Sequence, residues 1–344
     1  MPTPHPPTGA PTDGVHRLDV VVHPAAGTGL DLLAAAVLPQ ARLLRDAGLG
    51  VHVERHGPPA PDLRLRLAGH PDHLPAAAER AAGAVRAQLR TAPAAGTVRV
   101  QPAGRGVGVR AQLLRLGLEP LADSVRSLLA AGEAPAARVE LAVTALAVHA
   151  ATHPRGLPCG TSAYRAATAR FLAATDPTGR SRAALAAVWT AKGDVLTGTV
   201  AALADGADDP VGAGWAAWSS AAWAVCAAAA ARGGLPAAAG DEHRVLPART
   251  PGSLRVWEPA AGRAPGAPRR LAPFDAAGAV DASALVQQHA DDALRRLLAV
   301  CGVQPVEHHL AAHLVTQAAQ RLGDAGWQPG RSSTDPLRPT GSVR

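Results

Sequence analysis

The chain has 344 residues, an apolar fraction of 47% with only 3% aromatics, and a formal net charge of +7. That length accommodates one large domain or two modest ones with a real core, and the scarcity of aromatics requires a core of Leu, Val and Ala packed mainly between helices. The positive charge is almost all arginine, Lys192 being the only lysine, and no basic run is interleaved with aromatics, so direct nucleic-acid binding is not expected.

Residues 1–14 form a Pro-rich stretch without a basic n-region or an apolar h-region, expected as a disordered tail and not a signal peptide. Residues 17–23 (RLDVVVH) read as a strand, and 29–48 carry helical periodicity through Leu32, Leu33, Val37, Leu43 and Leu44, with Gly48 as the stop. Two more strands, 51–55 and 63–67, flank the turn-rich HGPPAP at 56–61. A helix at 71–90 and a fourth strand at 97–101 complete a β-α-β-β-α-β order. The fold class is therefore α+β, with a ferredoxin-like N-terminal part, a mixed or antiparallel sheet and helices on one face, followed by a mainly helical region.

The helical region starts at about residue 109, with helices expected at 111–131, 137–150, 162–174, 180–204, 214–232, 283–300 and 305–322. Residues 233–278, rich in Pro, Gly and Arg, are too long for a tight connection and suit an insertion or lid. A single domain over 15–326, divided into an α+β part to 108 and a helical part from 109, with a second disordered tail over 327–344, is the expected organisation. The most apolar stretch, 215–231, is short and interrupted by Ser219 and Ser220, so a buried helix is expected and no membrane span. Cys159, Cys226 and Cys301 are too few and too far apart for a disulfide framework or a CxxC metal knuckle, which fits a reducing cytoplasm.

The strand DLRLRL at 62–67 places Leu63, Leu65 and Leu67 on one face and Asp62, Arg64 and Arg66 on the other. Its polar face is either a solvated surface or an anion-binding cleft. The segment QPAGRGVG at 101–108 surrounds Arg105 with glycines, but it is neither a P-loop nor a dinucleotide fingerprint, and no cofactor is expected. His289 falls on the inward face of its helix, as a core histidine or a proton-transfer group. His309 and His313 are spaced i, i+4 but lack a persuasive third ligand, and there is no HExxH, so no metal is expected. Ser162 reads as a helix N-cap, and Cys159 is a nucleophile only if a His and an acid fold against it.

Several segments together resemble the C-terminal, elimination-type domain of lantibiotic dehydratases and the related thiopeptide-type bacteriocin biosynthesis proteins. Residues 53–66 (VERHGPPAPDLRLR) are similar to the family's RY-D-P-x-x-H-hydrophobic-RLR stretch, with Asp62 where the family usually has His. Residues 102–108 resemble its second-arginine segment, with Arg105 in the Arg position and the acidic and Tyr positions missing. SAYRAATARFLAATDPTGRSR at 162–182 resembles an F-R-S-H-x-E-x-F-L-x-x-x-D-P-x-G-R segment, and the helix pair from Gln287 through His289 to Glu307 resembles H-x-x-x-N-x-x-L-x-x-L-G-h-x-P. The resemblance implies maturation of a ribosomally made precursor peptide, in trans to a separate tRNA-dependent glutamylation protein. In its elimination form, glutamate leaves glutamylated Ser or Thr to give a dehydroamino acid. Arg66 and Arg105 would hold the anions, His289 would move a proton, and Arg55 and Arg64 would add substrate-binding charge. Two other readings stay open: the pyridine-forming [4+2] cycloaddition run on the same architecture by thiopeptide cyclases, and a non-catalytic scaffold that binds the leader peptide.

Overall fold

The computed structural model describes residues 16–24, 29–56, 62–91, 96–103, 108–176, 178–206, 209–235, 243–245, 257–259 and 282–328. The expected N-terminal tail, most of the 233–278 insertion, nearly all of the C-terminal tail and Arg105 lie outside these residues. In chain order the elements are β1 (His16–His23), α1 (Gly29–Leu32), a π-helical turn (Leu33–Val37), α2 (Leu38–Asp46), β2 (Gly50–His56), β3 (Asp62–Gly69), α3 (Leu74–Thr91), β4 (Thr97–Pro102), α4 (Val109–Leu116), α5 (Leu118–Ala130), α6 (Pro135–Ala151), α7 (Leu157–Gly160), α8 (Ser162–Thr175), α9 (Arg180–Ala204), α10 (Pro210–Ala231), β5 (His243–Val245), β6 (Trp257–Pro259), α11 (Ala282–Val300) and α12 (Pro305–Asp324). The chain divides into two compact units, Met1–Arg138 with Ala224–Pro305, and Val139–Trp223 with Val306–Arg344.

The first unit is organised by a four-stranded sheet in the order β2-β3-β1-β4, antiparallel at every pairing. Alternation sends Val20 and Val22 of β1, Val51 and Val53 of β2, and Leu63, Leu65 and Leu67 of β3 into the core, each at most 1% exposed. Burying side chains of this size stabilises the fold by roughly 1.5–3 kcal/mol each. Helix α3 lies against β1 and β4 and presents Ala77, Ala78, Ala81, Ala82 and Val85, whose small size lets helix and sheet approach closely. Helices α4 and α11 lie against β2, an edge strand of the sheet. Arg115 of α4, a helix of the region after residue 108, reaches the polar face at Gly50. Among the described residues of the insertion, β5 and β6 pair as a two-stranded antiparallel ribbon.

Two expected helices are interrupted, each for a local reason. The helix over 29–48 widens into a π turn, with the Leu38 N–H bonding the Leu33 carbonyl, just before Pro39, which has no N–H to offer Ala35. It ends as expected at Gly48, whose φ is +85°. The helix over 111–131 breaks at Gly117, where a Cβ would lie 2.4 Å from Leu297 of α11. The missing side chain there makes room for a fully buried leucine.

The second unit is helical among its described residues. Trp215, Trp218 and Trp223 of α10 are buried, as are Tyr164 of α8 and Ala311, Ala312 and Val315 of α12. No helix among the described residues is long and apolar enough to cross a membrane. Ser162 is not the N-cap that the sequence suggests: Thr161 holds that position, and the Ser162 hydroxyl donates back to the Cys159 carbonyl at 2.7 Å.

Candidate functional site

The polar face of the first unit's sheet carries the charged residues that the sequence singles out, arranged in rows by strand register. One row is Asp19 of β1, Arg66 of β3 and His52 of β2, and the next sets Arg64 against Glu54. Arg66 lies 3.3 Å from Asp19 and 3.4 Å from Glu54, while Arg64 donates to Asp62 through Nε at 3.2 Å and a terminal nitrogen at 3.1 Å. Their side chains are only 21% and 23% exposed. Both guanidinium groups therefore already hold carboxylates of this chain. Asp62, standing where the resembled family has His, is one of those carboxylates.

Burial alone would raise the Glu54 carboxyl, but hydrogen bonds with His52 and His56 and the charge of Arg66 outweigh it and hold Glu54 far below the usual range. The contacts are 3.4 Å to His52 and 3.3 Å to His56. Asp19 goes the other way: burial raises it, and Arg66 and Arg64 only partly compensate. Arg296 of α11 belongs to the same electrostatic field. Burial pushes it down to about 10, with Arg110 and Arg66 acting in the same sense and Glu54 opposing. Asp292 anchors it at 2.9 Å and also meets Arg110 at 3.5 Å and Arg295.

The other expected site residues are placed unequally. Arg55 follows Val51 and Val53 onto the opposite side of β2, where one of its terminal nitrogens lies 3.0 Å from the position of a Cβ on Gly29. Its charge is therefore not added to that of Arg64 and Arg66. Burial lowers it, with Cys301 and Glu133 opposing. His289 is buried on α11, 9% exposed, and precedes Arg296 by two helical turns, roughly 10 Å along the axis. Burial pushes the thiols of Cys226 and Cys301 up to about 12, which leaves them without thiolate character at neutral pH. Asp19, His52, Glu54 and His56 were not singled out in the sequence. Strand alternation gives their faces, but which acid meets which arginine depends on register.

The second unit contributes an aromatic cluster and a groove. His149 of α6 is fully buried, stacked on Trp223 with centroids 4.3 Å apart and bonded through Nδ1 to Ser219 at 3.0 Å. The Trp223 indole donates to the His149 carbonyl and the Thr152 hydroxyl, both at 3.3 Å. His309 stacks on Phe171, centroids 4.3 Å apart. A groove of about 730 Å³ is lined by Trp189, Arg165, Gln317, Gln320 and Arg321 among others, within the size range of ligand-binding clefts. Asp194 holds Arg321 at 2.5 Å.

No family model matches the sequence, and no curated protein matches it. Among solved structures, the chain is similar to the pyridine synthase TbtD from thiomuracin biosynthesis, with a TM-score of 0.64 and 17% identity over 89% of this chain and 98% of that one. It is also similar to TsrL, with a TM-score of 0.63 and 17% identity over 90% of this chain and 96% of that one. The chain shares the fold of these two proteins over nearly their whole length.

Proposed function

We propose that the chain is an enzyme that matures a ribosomally made peptide, acting in trans by the pyridine-forming [4+2] cycloaddition of two dehydroalanines, with closure of the macrocycle and loss of the leader peptide. The observation that carries this reading is the ion pairing of Arg64 and Arg66 with carboxylates of the chain itself. Glutamate elimination built on Arg64 and Arg66 needs those two guanidinium groups open to a departing dicarboxylate, and here Asp19, Glu54 and Asp62 already pair with them. Cycloaddition depends on holding two peptide segments together more than on an acid, a base or an anion hole. The groove of the second unit has room for such segments, with Trp189 as an apolar surface and the Gln317 and Gln320 amides able to pair with peptide backbone. The shared fold with a pyridine synthase, over nearly that enzyme's full length, supports the same reading. The sheet order, 4-1-3-2 read from the other edge, supports a ferredoxin-like description of the first unit, and three free thiols among the described residues suit a reducing cytoplasm.

Glutamate elimination is the second reading, with Arg66, Arg105 and His289 as its catalytic groups and a separate glutamylation protein as partner. It is favoured by the position of His289 on the helix that carries Arg296 into the field of Arg66. Incubation with a dehydrated precursor and, separately, with a glutamylated one, followed by mass spectrometry, distinguishes them. Leader expulsion with ring formation from the first peptide supports cycloaddition. Loss of glutamate from the second supports elimination, and binding with neither leaves a leader-binding scaffold.

A further inference from the structure

One row of the sheet's polar face is built differently from its neighbours. Arg17 of β1, Ala68 of β3 and Gly50 of β2 lie side by side across the three strands. Ala68 carries only a methyl group and Gly50 nothing, so the row sinks into a hollow of about 10 Å³, roughly the space of one water-sized group. Arg115 of α4 lies over it. A Cβ on Gly50 would meet the central carbon and one terminal nitrogen of that guanidinium at 2.7 Å, so the absent side chain makes room for the charge. Arg66 and His52, from the next row, contribute to its wall together with Leu67 and Ala103.

The charges around this hollow are out of balance. Arg66 has Asp19 and Glu54, but no carboxylate of the described residues lies within ion-pair reach of Arg17 or Arg115. Arg115 is solvent-exposed as a residue, and the partial burial of its guanidinium together with the charge of Arg17 lowers it. His52 is 6% exposed, directs Nε2 to Glu54 at 3.4 Å, and leaves Nδ1 without a hydrogen-bond partner among the described residues. Two neighbouring like charges and a buried, unmatched ring nitrogen each cost free energy unless something answers them. An oxyanion answers the two guanidiniums with charge-assisted hydrogen bonds. With Nε2 donating to Glu54, Nδ1 accepts a ligand hydroxyl from the neutral ring and donates to a ligand oxygen from the protonated one.

We propose that Arg17 and Arg115, over the Gly50–Ala68 hollow and walled by Arg66 and His52, form an oxyanion site for a carboxylate or phosphate group. The hollow takes one water-sized oxygen of such a group, and the rest of the ligand lies outside it, against the two guanidiniums. The site stands independently of which reaction the chain performs, because it rests on two arginines that the chain's own acids do not neutralise.

The test follows the thermal unfolding midpoint of the full chain at constant ionic strength. Chloride is replaced by inorganic phosphate in one series; acetyl-glutamate methylamide is added in another, with acetyl-glutamine methylamide as the uncharged control. A saturable rise with phosphate, with the glutamate probe or with both is expected, and none with the glutamine probe. Response to phosphate alone points to free phosphate as the source, and response to the glutamate probe to an acidic peptide side chain. Gly50→Ala keeps every charge but displaces Arg115, and Arg115→Gln removes one charge. Each is expected to raise the half-saturating concentration at least about tenfold, and Arg17→Gln replaces any variant that does not fold. Absence of a saturable rise with both anions, or unchanged half-saturation in either variant, overturns the proposal.

Discussion

The two faces of the four-stranded sheet carry residues of opposite character, and each is satisfied by its own means. The face of Leu63, Leu65 and Leu67 is dry and closed by α3 and its alanines. The other face carries Arg64 and Arg66, but Asp19, Glu54 and Asp62 meet them there, and His52 and His56 brace Glu54. A strand that presents two arginines is thus not by itself an anion-binding strand. What decides is whether register places acids opposite them, and at the Arg17–Ala68–Gly50 row no acid of the described residues is within ion-pair reach.

The largest expected effect breaks the dry face. Leu65→Ala removes a side chain with no exposure, and a loss of roughly 2–5 kcal/mol in denaturant unfolding is expected. A loss below about 1 kcal/mol would mean that the sheet is not packed as described.

The ionic face is probed by a smaller change whose pH dependence is diagnostic. Glu54→Gln takes away one carboxylate shared by Arg66 and two histidines, at an expected cost of about 1–3 kcal/mol near neutral pH, since Arg66 retains Asp19 and some solvent. The folded-state carboxyl of Glu54 is depressed from its ordinary 4.5. Its contribution is therefore fully present above that value and is lost as the pH falls toward the folded value. The gap between wild type and Glu54→Gln is expected to shrink as unfolding is measured from about pH 6 down to about pH 3. Asp19 has the opposite sign. Its proton is held more tightly in the folded chain, so ionising it as the pH rises erodes stability. Asp19→Asn is therefore expected to cost less than Glu54→Gln at neutral pH, and a reversed ranking would refute the assignment of roles in the pair.

The smallest effect belongs to the second unit, where a dry aromatic cluster is held by single hydrogen bonds. Trp223→Phe keeps a ring against His149 but deletes the N–H that reaches the His149 carbonyl and Thr152. About 1 kcal/mol is expected, measured by the same unfolding experiment.

The four strands were legible to within two residues because alternation of Leu and Val with polar groups is a local signal, and α9 runs over residues 180–204 as its periodicity predicts. The breaks were not legible. Gly117 interrupts α4–α5 because Leu297 arrives there from 180 residues away, and no local pattern announces that. The side taken by Arg55 is legible in the sequence, since its parity with Val51 and Val53 assigns it to the apolar side of β2. The neutralisation of Arg64 divides similarly: Asp62, two residues before it, was in plain view, whereas Asp19 and Glu54 reach Arg66 only through cross-strand register. The pairing of Arg17 with Arg115 lay deeper still, because it needs α4 folded over the start of β2.

The most direct measurement mixes the glutamylated and the dehydrated precursor peptides in one vessel with the full chain and follows both masses with time. With Arg64 and Arg66 committed to structure, the dehydrated peptide is expected to lose its leader and yield a cyclised core, while the glutamylated peptide keeps its glutamates. Loss of glutamate, with the dehydrated peptide left unchanged, would contradict the assignment of those two arginines.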